Sequence, residues 1–362
     1  MVTLFARATR RVSVTHIRHV APVSLRAATG LTARVYRQME ADFGMVAPPV
    51  MLHAPAPDTL AACWSILRET MLAPGLVDRS VKEAVAAAVS LANQCPYCVE
   101  VHGAALAGLV RGPDALAVAV DRAGDITDPG LRELARWARA SGNPSAQARH
   151  PAPFPPAQAP ELIGVAVTFH YINRMVNVFL RDSPMPPAPT PVLRVVRRVA
   201  ARLMRDMASR HSDPGRSGDL LPDAPLAADL AWAAGPPHIA GAVARAAAAV
   251  DAGGARSVPE RVRRLVVARI ADRTPEPAVP RSDPRWESAV AELPDDERPA
   301  ARLALLTALA SYRVTDAVIG DFRAQGHDDR ATIELTSWAS FAAARQIGAE
   351  LHRDLAADPE TR

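Results

Sequence analysis

The chain alternates between apolar stretches with helical spacing and short breaks rich in Pro and Gly. The stretch from Leu31 to Phe43 is amphipathic and precedes Gly44, which predicts a helix that ends at a glycine cap. Asp58 precedes the next apolar stretch and is the expected N-cap of a helix over 59–71. The other predicted helices cover residues 78–93, 96–110, 113–122, 129–140, 161–181 and 331–351. Aromatic residues make up only 4% of the chain and the apolar ones are mainly Ala, Val and Leu, so we expect an all-α fold.

The second half of the sequence resembles a degenerate copy of the first. Residues 258–264 parallel residues 77–83, because each segment has Val at its first and fifth positions and precedes an apolar helix and a Pro-containing break. The closing stretch 331–351 parallels 161–181 in the same way. The pattern predicts two helical domains in tandem.

The predicted copy lacks the chemistry-bearing residues of the first half. Arg264 occupies the position of Glu83, and an ungapped alignment places Glu276 and Val279 where the first half has cysteines. We therefore expect the second domain to be a structural partner without thiol chemistry. The predicted organisation is a basic leader (1–30), a catalytic domain (31–185), a Pro-rich linker (186–192), a degenerate domain (193–355) and a C-terminal tail (356–362).

Charge and composition add few constraints on the function. The 362 residues carry a formal net charge of +4, and all the basic residues except Lys82 are Arg. This composition is typical of a GC-rich genome, and no basic stripe with interleaved aromatics is present, so nucleic acid is not an expected partner. The first 37 residues carry seven Arg and no acidic residue, and we expect a disordered or loosely docked leader. We expect no membrane-spanning run, no disulfide scaffold and a cytoplasmic location.

The candidate chemistry lies between Glu83 and His102. Cys95 and Cys98 form a Cys-Pro-Tyr-Cys pair, and Pro96 suits the first turn of a helix. Cys98 and His102 are then four residues apart on one helix face, and thiols near a helix N-terminus favour the thiolate. Glu83 would orient or protonate the imidazole if the two helices pack antiparallel. The pattern predicts a carboxylate, imidazole and dithiol relay.

The spacing of Glu83, Cys95, Cys98 and His102 resembles the alkylhydroperoxidase AhpD branch of the carboxymuconolactone decarboxylase-like superfamily. The residues on either side of the motif fit as well, and the resemblance covers roughly residues 45–185 well and the rest of the chain weakly. The resemblance implies two AhpD-like all-α domains and a thiol-dependent reduction of alkyl or hydrogen peroxides. It implies that Cys98 attacks the peroxide and Cys95 resolves the product, although the opposite assignment stays open. It also implies a homo-oligomer and a reductant that is a lipoyl-bearing protein, a thioredoxin-like protein or a small thiol.

Several alternatives and secondary candidates remain. A lactone-decarboxylating lyase and a non-enzymatic redox sensor are the competing functions. A zinc site is disfavoured because one Cys-x-x-Cys and one His supply too few ligands, and we expect neither metal nor cofactor. Cys63 has no partner in the sequence and is expected to be a buried apolar residue. The candidates for the pocket wall are Tyr97, His53, His170, Asn173 and Arg174.

Overall fold

A computed structural model describes residues 16–183 except 111, then 199, 201, 202, 205, 206, 210, 212–272 and 284–357. In the first half the helices are α1 (Gly30–Gln38), α2 (Pro48–Met51), α3 (Pro57–Leu67), α4 (Arg79–Ala92), α5 (Pro96–Leu109), α6 (Asp114–Ala119), α7 (Pro129–Ala140), α8 (Pro144–Gln147) and α9 (Ala159–Phe179). In the second half they are α10 (Pro237–Ser257), α11 (Glu260–Ala271), α12 (Pro284–Ala291), α13 (Arg298–Ala310), α14 (Asp316–Ala324) and α15 (Asp329–Ala357). Within the described residues there are no strands, only one isolated bridge, so the expected all-α class is confirmed.

The helix ends follow the local sequence signals with one correction. A π-helical turn, Met39–Phe43, continues α1, and Gly44 ends it with a φ of 92°. The Asp128 carboxylate accepts a hydrogen bond from the backbone N–H of Leu131 at the start of α7. Asp58, however, is not an N-cap. Helix α3 begins at Pro57 with Ala56 before it, because proline lacks the N–H that a cap would satisfy and so fits the first helical position.

Equivalent helices of the two halves pack against each other. Helix α3 lies against α10, the first long helix of the second half, and α9 lies against α15, the closing helix. Pairing of equivalent elements is the arrangement that a two-fold axis produces between identical subunits. The fold is therefore two helical domains in tandem that form one shared core.

Close approach of α9 and α15 depends on a small residue. A Cβ at Gly348 would lie 2.5 Å from Cγ2 of Val167 and 2.9 Å from Nε1 of Trp232. The Tyr171 hydroxyl also hydrogen-bonds Ser337 Oγ across this contact at 2.6 Å, and both side chains are buried. Polar and apolar contacts together make α9–α15 the main junction between the halves.

A buried ion pair fixes helix α4 to helix α9. Lys82 Nζ lies 2.7 Å from Glu161 Oε2, and both side chains are almost fully buried. Glu161 also accepts hydrogen bonds from the backbone N–H groups of Leu76 and Val77, and Lys82 donates to the carbonyl of Ala73. Every charge in the pair is thus satisfied, as a buried charge requires.

Part of the predicted basic leader is packed against the first domain. Residues 16–21, called the strap below, pair with the end of α9 through the isolated bridge between Ile17 and Leu180. The Arg18 N–H donates to the Phe179 carbonyl at 2.7 Å. Residues 1–15, the whole of the predicted linker 186–192, and Glu276 and Val279 lie outside the described residues.

The expectation that no apolar run could span a membrane needs a correction. Residues Pro156–Phe179 are long and apolar enough by length and composition, judged over the described residues. In the fold, however, 89% of that apolar window is buried. This is the environment of a core helix, so its hydropathy is explained by packing.

Candidate active site

The dithiol sits at the junction of helices α4 and α5. Cys95 precedes the first helical residue, Pro96, and Cys98 follows in the first turn. Gln94 adopts a positive φ of 50°, which turns the chain sharply between the two helices. The turn buries both sulfur-bearing side chains, which are 1% and 2% exposed, as free thiols.

Glu83 and His102 form the predicted carboxylate–imidazole pair. His102 Nδ1 lies 2.6 Å from Glu83 Oε2, because α4 and α5 pack against each other through the turn. Arg79, one turn before Glu83, donates from Nε to Glu83 Oε1 at 2.9 Å. Burial by itself raises the pKa of Glu83, but the neighbouring Arg79 and His102 outweigh burial and hold it below its usual range. An ionised Glu83 accepts a hydrogen bond from the Nδ1–H of His102, which leaves Nε2 as the basic nitrogen.

A cavity of about 560 Å³ opens beside this pair. Cys98, but not Cys95, is among the described residues that line it, together with His102 and Arg79. Most of its wall is apolar. The main apolar contributors are Phe43, Met45, Val50, Leu67, Met71, Leu116, Val120, Phe169 and Ile172.

The Cys98 thiol is not the pre-ionised nucleophile that its place near a helix N-terminus suggests. Burial raises the pKa of Cys98 well above its usual range, and the neighbouring Cys95 raises it further. A hydrogen bond with the Asn173 side chain offsets only part of this. Desolvation therefore outweighs the helix terminus, and the thiol needs a base at the moment of reaction.

The secondary candidates have different positions. Tyr97 lines the cavity, whereas the other four do not appear in its described lining. His53 is fully buried, hydrogen-bonds the Tyr171 hydroxyl at 3.0 Å, and has its pKa lowered to about 4 by burial. His53 therefore lies in the core and not in the described cavity wall, for which it was one candidate.

The polar residues of α9 hydrogen-bond the turn that carries the dithiol and do not line the described cavity. His170 and Asn173 both hydrogen-bond the Asn93 amide, just before the cysteines. Asn173 also donates to Ser90 Oγ. Arg174 donates to the Ala308 carbonyl and so connects this network to the second half.

Arg79 and Phe169 belong to the site but were not among the candidates expected from the sequence. Arg79 carries an i, i+4 charge signal toward Glu83 that the sequence does show. Phe169 packs edge-on against the His102 ring, with centroids 4.4 Å apart. No local pattern pointed to Phe169, because it lies 67 positions after His102 in the sequence.

Fold and site together define an all-α protein whose buried dithiol lies next to a carboxylate–imidazole pair, with Cys98 and His102 lining one cavity. Residues 57–140 match the carboxymuconolactone decarboxylase family. The chain is also 37% identical over 333 residues to alkyl hydroperoxide reductase Rv2159c of Mycobacterium tuberculosis, covering 92% of this chain and 94% of that relative. The chain therefore belongs to the AhpD-like group of the carboxymuconolactone decarboxylase-like superfamily.

One solved structure is also similar. It is described as an alkylhydroperoxidase AhpD core, an uncharacterized peroxidase-related protein from Ralstonia eutropha JMP134. The match has 24% sequence identity and a TM-score of 0.36, and it covers 51% of this chain and 98% of that one.

Proposed function

We propose that the protein is a thiol-dependent peroxidase that reduces organic hydroperoxides through the Cys95–Cys98 pair. The observation that carries the proposal is the 2.6 Å contact between Glu83 and His102 at the cavity that Cys98 lines. The relative named alkyl hydroperoxide reductase supports the same activity.

The chemistry begins with proton transfer from the Cys98 thiol to His102 Nε2. The thiolate attacks the outer oxygen of the hydroperoxide, an S–O bond forms and the O–O bond breaks. The leaving alkoxide takes the proton back from His102, which gives an alcohol and a sulfenic acid on Cys98. Cys95 then displaces water to form a disulfide. Because the pKa of Cys98 is raised, the reaction at neutral pH depends on this base.

The position of the two cysteines supports Cys98 as the attacking thiol. Cys98 lines the cavity, whereas Cys95 lies at the helix boundary behind it. A substrate that enters the cavity meets Cys98 first. Cys95 is then the resolving thiol, which needs no direct access to substrate.

Cavity size and lining favour an organic substrate over hydrogen peroxide. A molecule of hydrogen peroxide has only two heavy atoms and is little larger than one water, whose share of liquid volume is about 30 Å³. The cavity of about 560 Å³ is in the range of sites for much larger ligands. Burial of a hydrocarbon chain against the apolar wall contributes favourable binding free energy, and hydrogen peroxide has no such chain.

The cycle requires an external thiol reductant to reopen the disulfide. The reductant proposed is a lipoyl-bearing protein, a thioredoxin-like protein or a small thiol. Homo-oligomeric assembly and a cytoplasmic location belong to the same proposal. Light scattering of the purified protein measures the oligomeric state, and fractionation of cells measures the location.

The test is steady-state consumption of cumene hydroperoxide with excess dithiothreitol. We expect many turnovers per chain, and disulfide mapping by mass spectrometry should place the bridge at Cys95–Cys98. One equivalent consumed and then no further reaction would indicate a redox sensor. No consumption at all would refute the peroxidase proposal and favour the lyase class.

A further inference from the structure

The strap brings a second histidine to the cavity. His16 is among the lining residues, together with Cys98 and His102, although it is 82 positions before Cys98 in the sequence. Its ring meets the Tyr97 ring edge-on, with centroids 6.4 Å apart. The family match covers 57–140 and therefore does not include it.

Main-chain bonds fix this histidine in place. The His16 carbonyl accepts a hydrogen bond from the Arg181 N–H at 3.3 Å, and the bridge between Ile17 and Leu180 follows directly. Further along the strap, the Ala21 N–H donates to Asp329 Oδ2 at 2.7 Å. The strap is thus held by both halves of the molecule, and its backbone position does not depend on the His16 side chain.

The His16 ring has an unused hydrogen-bonding group. Nδ1 is buried and has no hydrogen-bond partner within the described part of the chain. Burial, with a contribution from Arg181, lowers the pKa of His16, so the ring is neutral at pH 7 and carries one proton. A buried N–H without an acceptor is costly, so the proton is better placed on Nε2, the nitrogen that remains for a ligand.

We propose that His16 is a substrate-binding residue, whose Nε2–H donates a hydrogen bond to the inner oxygen of a hydroperoxide in the cavity. The proposal rests on the peroxidase function proposed above and adds a residue to it. Tyr97 and the bridge to Leu180 set the ring orientation. The oxygen that His16 contacts is the one that becomes an alkoxide when the O–O bond breaks.

The roles of the two histidines are then distinct. His102 removes the proton from the Cys98 thiol and returns it to the leaving oxygen. His16 keeps its proton and stabilises the negative charge on that oxygen as it develops. The overall change is unchanged: thiol and hydroperoxide give sulfenic acid and alcohol.

His16→Phe is the test variant, because phenylalanine keeps the edge-on packing on Tyr97 but has no N–H. His16→Gln restores a donor at similar reach. His19→Phe is the matched control, since His19 lies on the same strap but packs against Phe179 and Asp316, outside the described cavity lining. All three are measured with cumene hydroperoxide and dithiothreitol, and Cys98 alkylation by iodoacetamide is followed in parallel.

We expect His16→Phe to lower kcat/KM by roughly 10²-fold, the usual effect of removing one donor to a developing oxyanion. His16→Gln should recover at least tenfold of that loss, and His19→Phe should match the wild type. Alkylation of Cys98 should be unchanged in every variant, because iodoacetamide has no peroxide oxygen for His16 to contact.

Three results would overturn the assignment. Wild-type peroxide kinetics in His16→Phe would show that His16 does not contact the substrate, while the peroxidase proposal would stand. A parallel fall in alkylation would show that His16 acts only through packing around the thiol. If the wild type itself consumes no peroxide, the peroxidase proposal and the role of His16 fall together.

Discussion

Two equivalent positions, Glu83 and Arg264, show how the halves of this molecule differ. Glu83 is buried between Arg79 and His102, beside the dithiol cavity. Arg264 occupies the same place in the sequence pattern, yet its side chain is 70% exposed and pairs with Glu260 at 3.4 Å. Burial of a carboxylate and an imidazole is costly, and among the described residues the first half buries this pair beside the cavity, whereas Arg264 stays in solvent.

The halves nevertheless share what packing requires. Val77 and Val258 are both buried immediately before the helix that follows them. Like helices pair across the junction, α3 with α10 and α9 with α15. The comparison indicates that the scaffold and the chemistry are separable. The second half keeps the helical scaffold but has no counterpart of the cysteines or of Glu83.

The largest expected effect is loss of the nucleophile. Cys98→Ser should reduce peroxide consumption to the rate of buffer with dithiothreitol, because no described group in the second half replaces the thiol. Cys63→Ala is the control, since Cys63 is fully buried and outside the cavity lining. Both variants are measured by the disappearance of peroxide. Residual turnover in Cys98→Ser would show that Cys98 is not the attacking thiol.

The next effect concerns the carboxylate–imidazole pair. His102→Ala and Glu83→Gln should each slow peroxide consumption by roughly 10² to 10⁴ fold, the scale of lost general acid–base catalysis. Arg264→Gln is the matched control in the second half and should leave the rate unchanged. Circular dichroism should show folded variants. A rate loss in Arg264→Gln equal to that in Glu83→Gln would contradict the contrast between the halves.

The pH dependence of alkylation is expected to be smaller but diagnostic. The pKa of Cys98 is raised, so its thiolate fraction at pH 7 is small and rises about tenfold per pH unit. Iodoacetamide labelling of Cys98, followed by peptide mass spectrometry, should therefore accelerate from pH 7 to pH 9 without a plateau. A plateau below pH 7 would indicate a pre-ionised thiol and remove the need for His102 as a base.

The smallest effect concerns the junction. Tyr171→Phe removes the hydroxyl shared by His53 and Ser337, and it should lower the free energy of unfolding by about 1–3 kcal/mol. The urea transition should remain single, because both halves share one core. Tyr312→Phe is the control, since Tyr312 is exposed. Two separate transitions would mean that the halves fold independently.

Much of this arrangement could be predicted because its signals are local. Helix α4, the proline-led start of α5 and the spacing of Cys98 and His102 all lie within one short stretch of sequence. The Glu83–His102 contact required one further assumption, antiparallel packing of the two helices, and the structure satisfies it.

The rest depends on contacts that are distant in sequence. Both Phe169 and His16 line the cavity, although Phe169 follows the motif in sequence and His16 precedes it. Neither belongs to a recognisable pattern. The raised pKa of Cys98 follows from burial, which sequence position alone does not give, so the thiolate expectation was wrong. His53 lies close in sequence to the cavity residue Val50, yet its ring turns into the core toward Tyr171.

Lys82 has a practical consequence for handling this protein. It is the only lysine among 362 residues, and its side chain is 2% exposed and paired with Glu161. The folded chain therefore offers reagents such as succinimidyl esters no accessible side-chain amine, and acylation is directed to the N-terminus. Attachment to resin or dye through an amine thus leaves the dithiol untouched. Slow acylation of Lys82 itself reports how often the contact between α4 and α9 opens.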